Sequence, residues 1–341
     1  MAYTTIKKPS DYFETTTYTG GATDVSSLNF QPDFVWTKKR DGAEAHGLFD
    51  SVRGATKALK PSADNAEATR SGSLTSFDSD GWSMGGSDGI ISSSGYNYVG
   101  WSWKANGAGV ANTDGSISST VSANTTSGFS IVSYSGSNSN STVGHGLGVA
   151  PRVIIIKRLN VADNWRVLHM SAGNDNTAHL NLTSAFSSSA VFQNTSPTSS
   201  VFSLVGNNAS VNQSGSTYIA YCFADVQGFS KFGSYTGNGS TDGTFVYTGF
   251  KPAFILVKQT NSTASWTILD NKRDSFNVTE KRLFPDGADA EVVSANGNTD
   301  FLSNGVKMRI GHANINASGS TYIYMAFAEE PLVGDNPATA R

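Results

Sequence analysis

A short pattern occurs three times along the 341 residues: Pro32-Asp-Phe34-Val-Trp-Thr-Lys38, Pro151-Arg-Val153-Ile-Ile-Ile-Lys157 and Pro252-Ala-Phe254-Ile-Leu-Val-Lys258. Each copy opens on proline, runs through apolar residues and closes on lysine. A tyrosine-glycine turn precedes each copy, at Tyr18-Thr-Gly20, Tyr134-Ser-Gly136 and Tyr235-Thr-Gly237. A glycine-tyrosine segment follows each, at Gly95-Tyr-Asn-Tyr98, Gly215-Ser-Thr-Tyr218 and Gly319-Ser-Thr-Tyr322. The period, about a hundred residues, is far longer than a solenoid unit and is the size of a small domain. The chain is therefore one design used three times: repeats at 12–104, 128–226 and 227–330, an N-terminal arm at 1–11, a linker at 105–127 and a C-terminal tail at 331–341.

Between turn residues the apolar runs are short and rich in β-branched and aromatic side chains, which is the pattern of strands and not of helices. The last strand of each repeat is the most informative. Val99, Trp101 and Trp103 alternate with Gly100 and Ser102; Ile219, Tyr221 and Phe223 alternate with Ala220 and Cys222; Ile323, Met325 and Phe327 alternate with Ala326 and Ala328. Side chains of a strand point to opposite faces in turn. One face is large and apolar in all three repeats and reads as the core of each repeat's sandwich. The small face implies close approach of a neighbour. The fold class expected is all-β: three tandem antiparallel β-sandwiches of jelly-roll or concanavalin-A-like type. The Gly/Asn/Ser/Thr-rich stretch 105–127 reads as a linker or exchanged edge segment, so repeats one and two are expected to hinge and two and three to pack rigidly. The two ends read as unpaired arms.

Composition limits the function. Only 15% of residues are charged and the net charge is −3 without a basic stripe, which argues against nucleic-acid binding. The single cysteine, Cys222, permits no internal disulfide. The N-terminus lacks the apolar stretch of a secretory signal, and no run approaches membrane-span length, so membrane insertion is not expected.

Candidate chemistry is sparse. Asp78 and Asp80 are the tightest carboxylate cluster, in a turn of the first repeat; the third repeat has Leu302 and Asn304 there, so a catalytic pair would be lost. The same two could offer oxygens to calcium, but the full calcium-loop pattern is missing. Asp50 with Arg53 and Asp270 with Arg273 occupy equivalent places and read as structural ion pairs; His169 stands near that place in the second repeat. Histidine spacing fits no metal site. Sugar binding needs only an exposed ring and a few hydrogen-bonding groups. Trp82, Tyr96, Asn97 and Asp88 are the candidates.

The stretches Trp103-Lys-Ala-Asn-Gly, Gly128-Phe-Ser-Ile-Val-Ser-Tyr134, Thr142-Val-Gly-His-Gly-Leu147 and Phe49-Asp-Ser-Val-Arg53-Gly-Ala-Thr-Lys57 resemble a family of repeat-built virion proteins from bacteriophages of marine bacteria and cyanobacteria. The resemblance covers roughly Tyr12 to Phe327. It implies tail-fibre-like proteins with lectin-type sandwich domains, and it supplies no catalytic residue. The expectation is thus a non-enzymatic structural virion protein of the tail or a fibre, binding host-surface glycans. It would need no cofactor, partner other virion proteins, and assemble with itself as a homotrimer. Made in the host cytoplasm, it would reach the outside by lysis. A capsid decoration protein and a polysaccharide depolymerase are the alternatives.

Overall fold

A computed structural model of the chain describes residues 4–22 and 24–339. The fold is all-β: among the described residues the only helical elements are three-residue 3-10 turns. Every ladder between named strands is antiparallel.

Each repeat is built on the same four strands. A first strand (Phe13–Thr19, Phe129–Ser135, Ser230–Thr236) lies beside the closing strand (Asn97–Trp103, Thr217–Phe223, Thr321–Pro331). The closing strand pairs on its other side with the strand of the proline-lysine pattern (Phe34–Lys39, Val153–Arg158, Phe250–Gln259), which pairs in turn with a fourth (Gly47–Asp50, Arg166–His169, Thr267–Asp270). The registers coincide: Trp103 faces Phe34, Phe223 faces Val153, and Phe327 faces Phe254.

The tyrosine-glycine motifs have a common physical purpose. Tyr18 stacks on Tyr98, Tyr134 on Tyr218 and Tyr235 on Tyr322, with ring centroids 5.4, 5.2 and 5.0 Å apart. The hydroxyls of Tyr98, Tyr218 and Tyr322 donate to the carbonyls of Gly89, Ala209 and Ala313, and so pin one loop in each repeat. Gly20, Gly136 and Gly237 pass so close to that loop that an added Cβ would sit 2.3 Å from a backbone oxygen. Only glycine fits there.

From their second residue to Trp103, Phe223 and Ala328 the closing strands are buried on both faces, but the faces serve different neighbours. The small face packs inside its own repeat, under a hairpin or small sheet carrying Trp82, Phe202 or Phe301. Gly100 is small because the Trp82 ring lies over it; a Cβ at 100 would meet that ring at 2.9 Å. The large face does not fill each repeat's own sandwich, contrary to the sequence reading. Trp101, Trp103, Tyr221, Phe223, Met325 and Phe327 join Phe13, Phe34, Phe129 and Phe254 in one cluster shared by all three repeats. Within this hub Phe327 lies 5.1–6.1 Å from Phe13, Trp103, Phe223 and Phe254. An alternating pattern establishes that a face is buried and leaves open what buries it.

The other expectations about organisation also change. Residues 105–127 are not a free linker: Val110–Asn112 and Ser119–Asn124 add two strands at one edge of the second repeat's sheet, as Asn176–His179 and Ser187–Ser188 do at the other, for eight in all. Asp33 of the first repeat accepts from the backbone N–H groups of Ala105 and Gly107 at 2.7 and 3.0 Å, so this segment is fastened to both repeats and no hinge is left there. The arms are engaged as well. Ile6 is buried in the hub, the closing strand of the third repeat runs on to Pro331, and Asp335 N–H donates to the Lys7 carbonyl. Residues 1–3, 340 and 341 of the two arms lie outside the described residues.

Candidate functional site: three junctions around a hub

The structure does not assemble the four residues proposed for glycan binding. Trp82 is fully buried and offers no ring to solvent, because its strand faces the interior of the first repeat. Asp88 is buried and holds Arg70 through two bonds of 2.6 and 2.7 Å. Burial alone would raise its pKa, but Arg70 outweighs that and keeps it below the usual carboxylate range. Asn97 is tied to Asp41, and the Tyr96 ring, though exposed, is covered by the Lys39 ammonium 3.0 Å from its centroid. Other exposed aromatics lie in the third repeat, at Phe245, Tyr247 and Phe276, and the Lys231 ammonium stands 5.3 Å from the Tyr247 ring centroid. Asp78 is occupied by the hydroxyls of Ser76 and Ser83. Among the described residues no three His, Cys, Asp or Glu side chains converge as a metal site.

What the fold assembles instead is a set of three equivalent junctions. Each repeat extends a segment (60–67, 179–186, 284–291) onto the strand end that follows the pattern lysine of the next. Backbone N–H groups of Glu67, Phe186 and Glu291 donate to the carbonyls of Leu159, Thr260 and Arg40. In return those of Asp163, Ala264 and Glu44 donate to Asp64, Thr183 and Ala288. Repeat one engages two, two engages three, and three engages one, so the contacts are head-to-tail and close into a ring within a single chain.

The three pattern lysines lie at these junctions and are fully buried. Lys38 donates to the carbonyls of Lys39 and Ala288, Lys157 to Asp64 and Asp163, and Lys258 to Thr183 and Ala264. In each case one acceptor belongs to the neighbouring repeat. Burial lowers the pKa of all three to about 8. Eight residues after each lysine a ring nitrogen makes a further cross-junction bond: Trp165 Nε1 donates to Lys60 and Ala63, and Trp266 Nε1 donates to His179. In the first repeat His46 stands there. Its Nδ1 accepts from Trp36 Nε1 at 2.9 Å, which leaves the proton on Nε2 to donate to the Phe284 carbonyl at 3.0 Å.

The predicted ion pairs form, and they too face a neighbour. Asp50 accepts from Arg53 at 2.5 Å and from the Tyr221 hydroxyl of repeat two at 2.7 Å. Asp270 accepts from Arg273 at 2.6 Å and from the Trp101 indole of repeat one at 3.1 Å. Each arginine also reaches a glutamate, Glu67 or Glu291, at 3.1 and 3.0 Å. Burial opposes these arginine charges, but the paired carboxylates outweigh it and raise both above the ordinary arginine value. Trp101, Tyr221 and Met325 occupy one position of the closing strand. Met325 has no donor, and the residue in the aspartate's place is His169. Its Nδ1 accepts from Ser171 N–H, so Nε2 donates to the Tyr324 carbonyl at 3.1 Å. Burial takes His169 down to about 4.

The sequence reading missed that this third junction has lost more than its aspartate. Ala172 stands where Arg53 and Arg273 do, and Phe186 where Glu67 and Glu291 do. The ion pair that fills the other two junctions is absent, and a cleft of about 500 Å³ opens between repeats two and three. The signal was available as a departure from the triplicated pattern at two positions.

No curated protein and no solved structure matches the chain in the comparisons made. A family model described as a domain of unknown function, DUF7483, matches residues 8–331. That span runs through all three repeats, and the chain belongs to this DUF7483 family.

Proposed function

We propose that the chain is a structural, non-enzymatic protein of a bacteriophage virion, placed at the tail or in a fibre and binding host-surface glycans, and that its repeats are sandwich domains of jelly-roll, lectin-like type. The sandwich reading is supported within each repeat by a sheet built on the same four strands, which faces a smaller sheet or hairpin across its own apolar core. The observation that carries the functional reading is the use made of the buried charges. Asp50 and Asp270, each held by its arginine, accept from the Tyr221 hydroxyl and the Trp101 indole of a neighbouring repeat, and each of the three lysines gives one bond to a neighbouring repeat's carbonyl. Such a molecule is rigid without disulfides, which suits a particle that must survive outside a cell.

The expected homotrimer is kept as a proposal with one refinement. The hub is satisfied within one chain, so further copies would meet through outer surfaces and sheet edges. A pseudo-threefold ring also suits a decoration protein seated at a threefold position of a capsid, which is the second reading. Electron microscopy of purified particles carrying a labelled chain tests both. Tens of copies or fewer at the tail support the first, and hundreds over the head support the second. Absence from purified particles ends the virion reading.

A further inference from the structure

We propose that the cleft between repeats two and three is a binding site for a neutral saccharide. It names the ligand site of the binding role suggested above, but it rests on the geometry of one junction and not on where in a particle the protein sits.

The cleft exists because one of three equivalent junctions is unfilled. At the junction of repeats one and two, Arg53, Lys57 and Glu67 of repeat one form a charged cluster at the equivalent positions; at that of repeats three and one, Arg273 and Glu291 do, with Arg40 of repeat one reaching Glu291. Ala172 and Phe186 are too short or too apolar to do so. The backbone bond between Phe186 and Thr260 still holds the two repeats at the same separation, at 3.0 Å, so the gap is not closed by collapse. The resulting volume, about 500 Å³, lies inside the roughly 300–1,000 Å³ of small-molecule clefts.

Its lining is chemically uniform. No acidic or basic side chain borders it. Ser171 and Asn176 come from repeat two, and Ser234, Thr236 and Thr321 from repeat three, with the Phe186 ring on the wall and Ile323 beside it. Hydroxyls and amides both donate and accept, as the hydroxyls of a sugar do. Among the described residues the side-chain oxygens of Ser171, Ser234 and Thr236 make no hydrogen bond within the protein and are free for a ligand. The Phe186 ring offers an apolar surface to the C–H face of a pyranose. An uncharged lining favours neutral over anionic sugars, since an anionic ligand would lose water without gaining a counter-charge.

The test titrates the intact chain with maltotriose, cellotriose and mannotriose, and with sialyllactose as the anionic comparison, by calorimetry and ligand-observed NMR. At least one neutral trisaccharide should bind saturably at concentrations up to about 10 mM. The double substitution Ala172→Arg with Phe186→Glu rebuilds the ion pair of the other junctions and should weaken binding at least about tenfold, about 1.4 kcal/mol. Ser234→Tyr, at an exposed position, blocks the cleft without touching the junction and decides the matter if the double variant fails to fold. Binding of none of the three neutral sugars, binding of sialyllactose alone, or affinity unchanged by a folded cleft-filling variant overturns the proposal. Absence of the protein from virions would leave it standing.

Discussion

The two junctions built on aspartate differ from the one built on histidine in what faces them across the hub. Tyr221 and Trp101 point an O–H and an N–H at the neighbouring repeat, and there the neighbour carries Asp50 or Asp270 with its arginine and glutamate. Met325 points a thioether, and there the neighbour carries a neutral histidine, an alanine and a phenylalanine. A buried carboxylate is tolerable only when donors surround it, and a buried arginine only when carboxylates do. Removing one donor from the hub therefore removes the reason for the whole charged set. The three junctions share one backbone framework and two chemical solutions, and the neutral solution leaves room for a ligand.

The largest expected effect comes from breaking the charged solution. Asp270→Ala leaves Arg273 buried without its main partner and the Trp101 indole without an acceptor, and should cost about 3–5 kcal/mol in denaturant unfolding. Asp50→Ala should behave alike; a cost below about 1 kcal/mol at both would show that the pairs are incidental. Next comes imposing the charged solution where it does not belong. His169→Asp should cost about 2–3 kcal/mol, less than the first because the new carboxyl can protonate and donate to the Tyr324 carbonyl. Adding Met325→Tyr and Ala172→Arg should recover at least half of that loss. A triple variant no more stable than the single one would dissociate the donor from the acid.

Two pH effects are smaller and have opposite windows. His169 and His179 have folded pKa values lowered to about 4 from the ordinary 6.5, so the unfolded chain binds more protons between those limits. Stability should fall as pH drops from 6.5 towards 4, and His169→Gln should shallow that fall in thermal melts. The lysines, lowered by burial to about 8, are less protonated in the folded chain between pH 8 and the ordinary 10.5. Stability should accordingly rise across that window through these groups. Burial of the Cys222 thiol, whose pKa is raised, works against them above pH 9. Lys157→Met should remove about a third of the rise, one lysine of three. A melting temperature that declines uniformly from pH 8 to 10 would contradict the buried-lysine account.

The legible part of the site was local. Asp50 with Arg53, and Asp270 with Arg273, lie three residues apart in a turn, and that spacing announces a pair before any fold is known. What each pair would meet was not legible, because Asp50 and Tyr221 are 171 residues apart and Asp270 and Trp101 are 169 apart. Trp82 misled for the same reason. A tryptophan near a turn can lie on a sugar or under its own sheet, and Gly100, eighteen residues on in sequence, reveals which only once the strands are paired.

By itself the amino-acid sequence determined the number of repeats, their strands, the tyrosine-glycine turns and the two faces of each closing strand, since all of these rest on spacing and on conformations that neighbouring residues impose. Tertiary structure decided which face joined the common hub, that the ring closes from the third repeat onto the first, and that one junction stays open. Those outcomes depend on side chains that meet across contacts as distant as Lys38 and Ala288, 250 residues apart, and a two-residue period carries no information about the partner on the far side of a buried face.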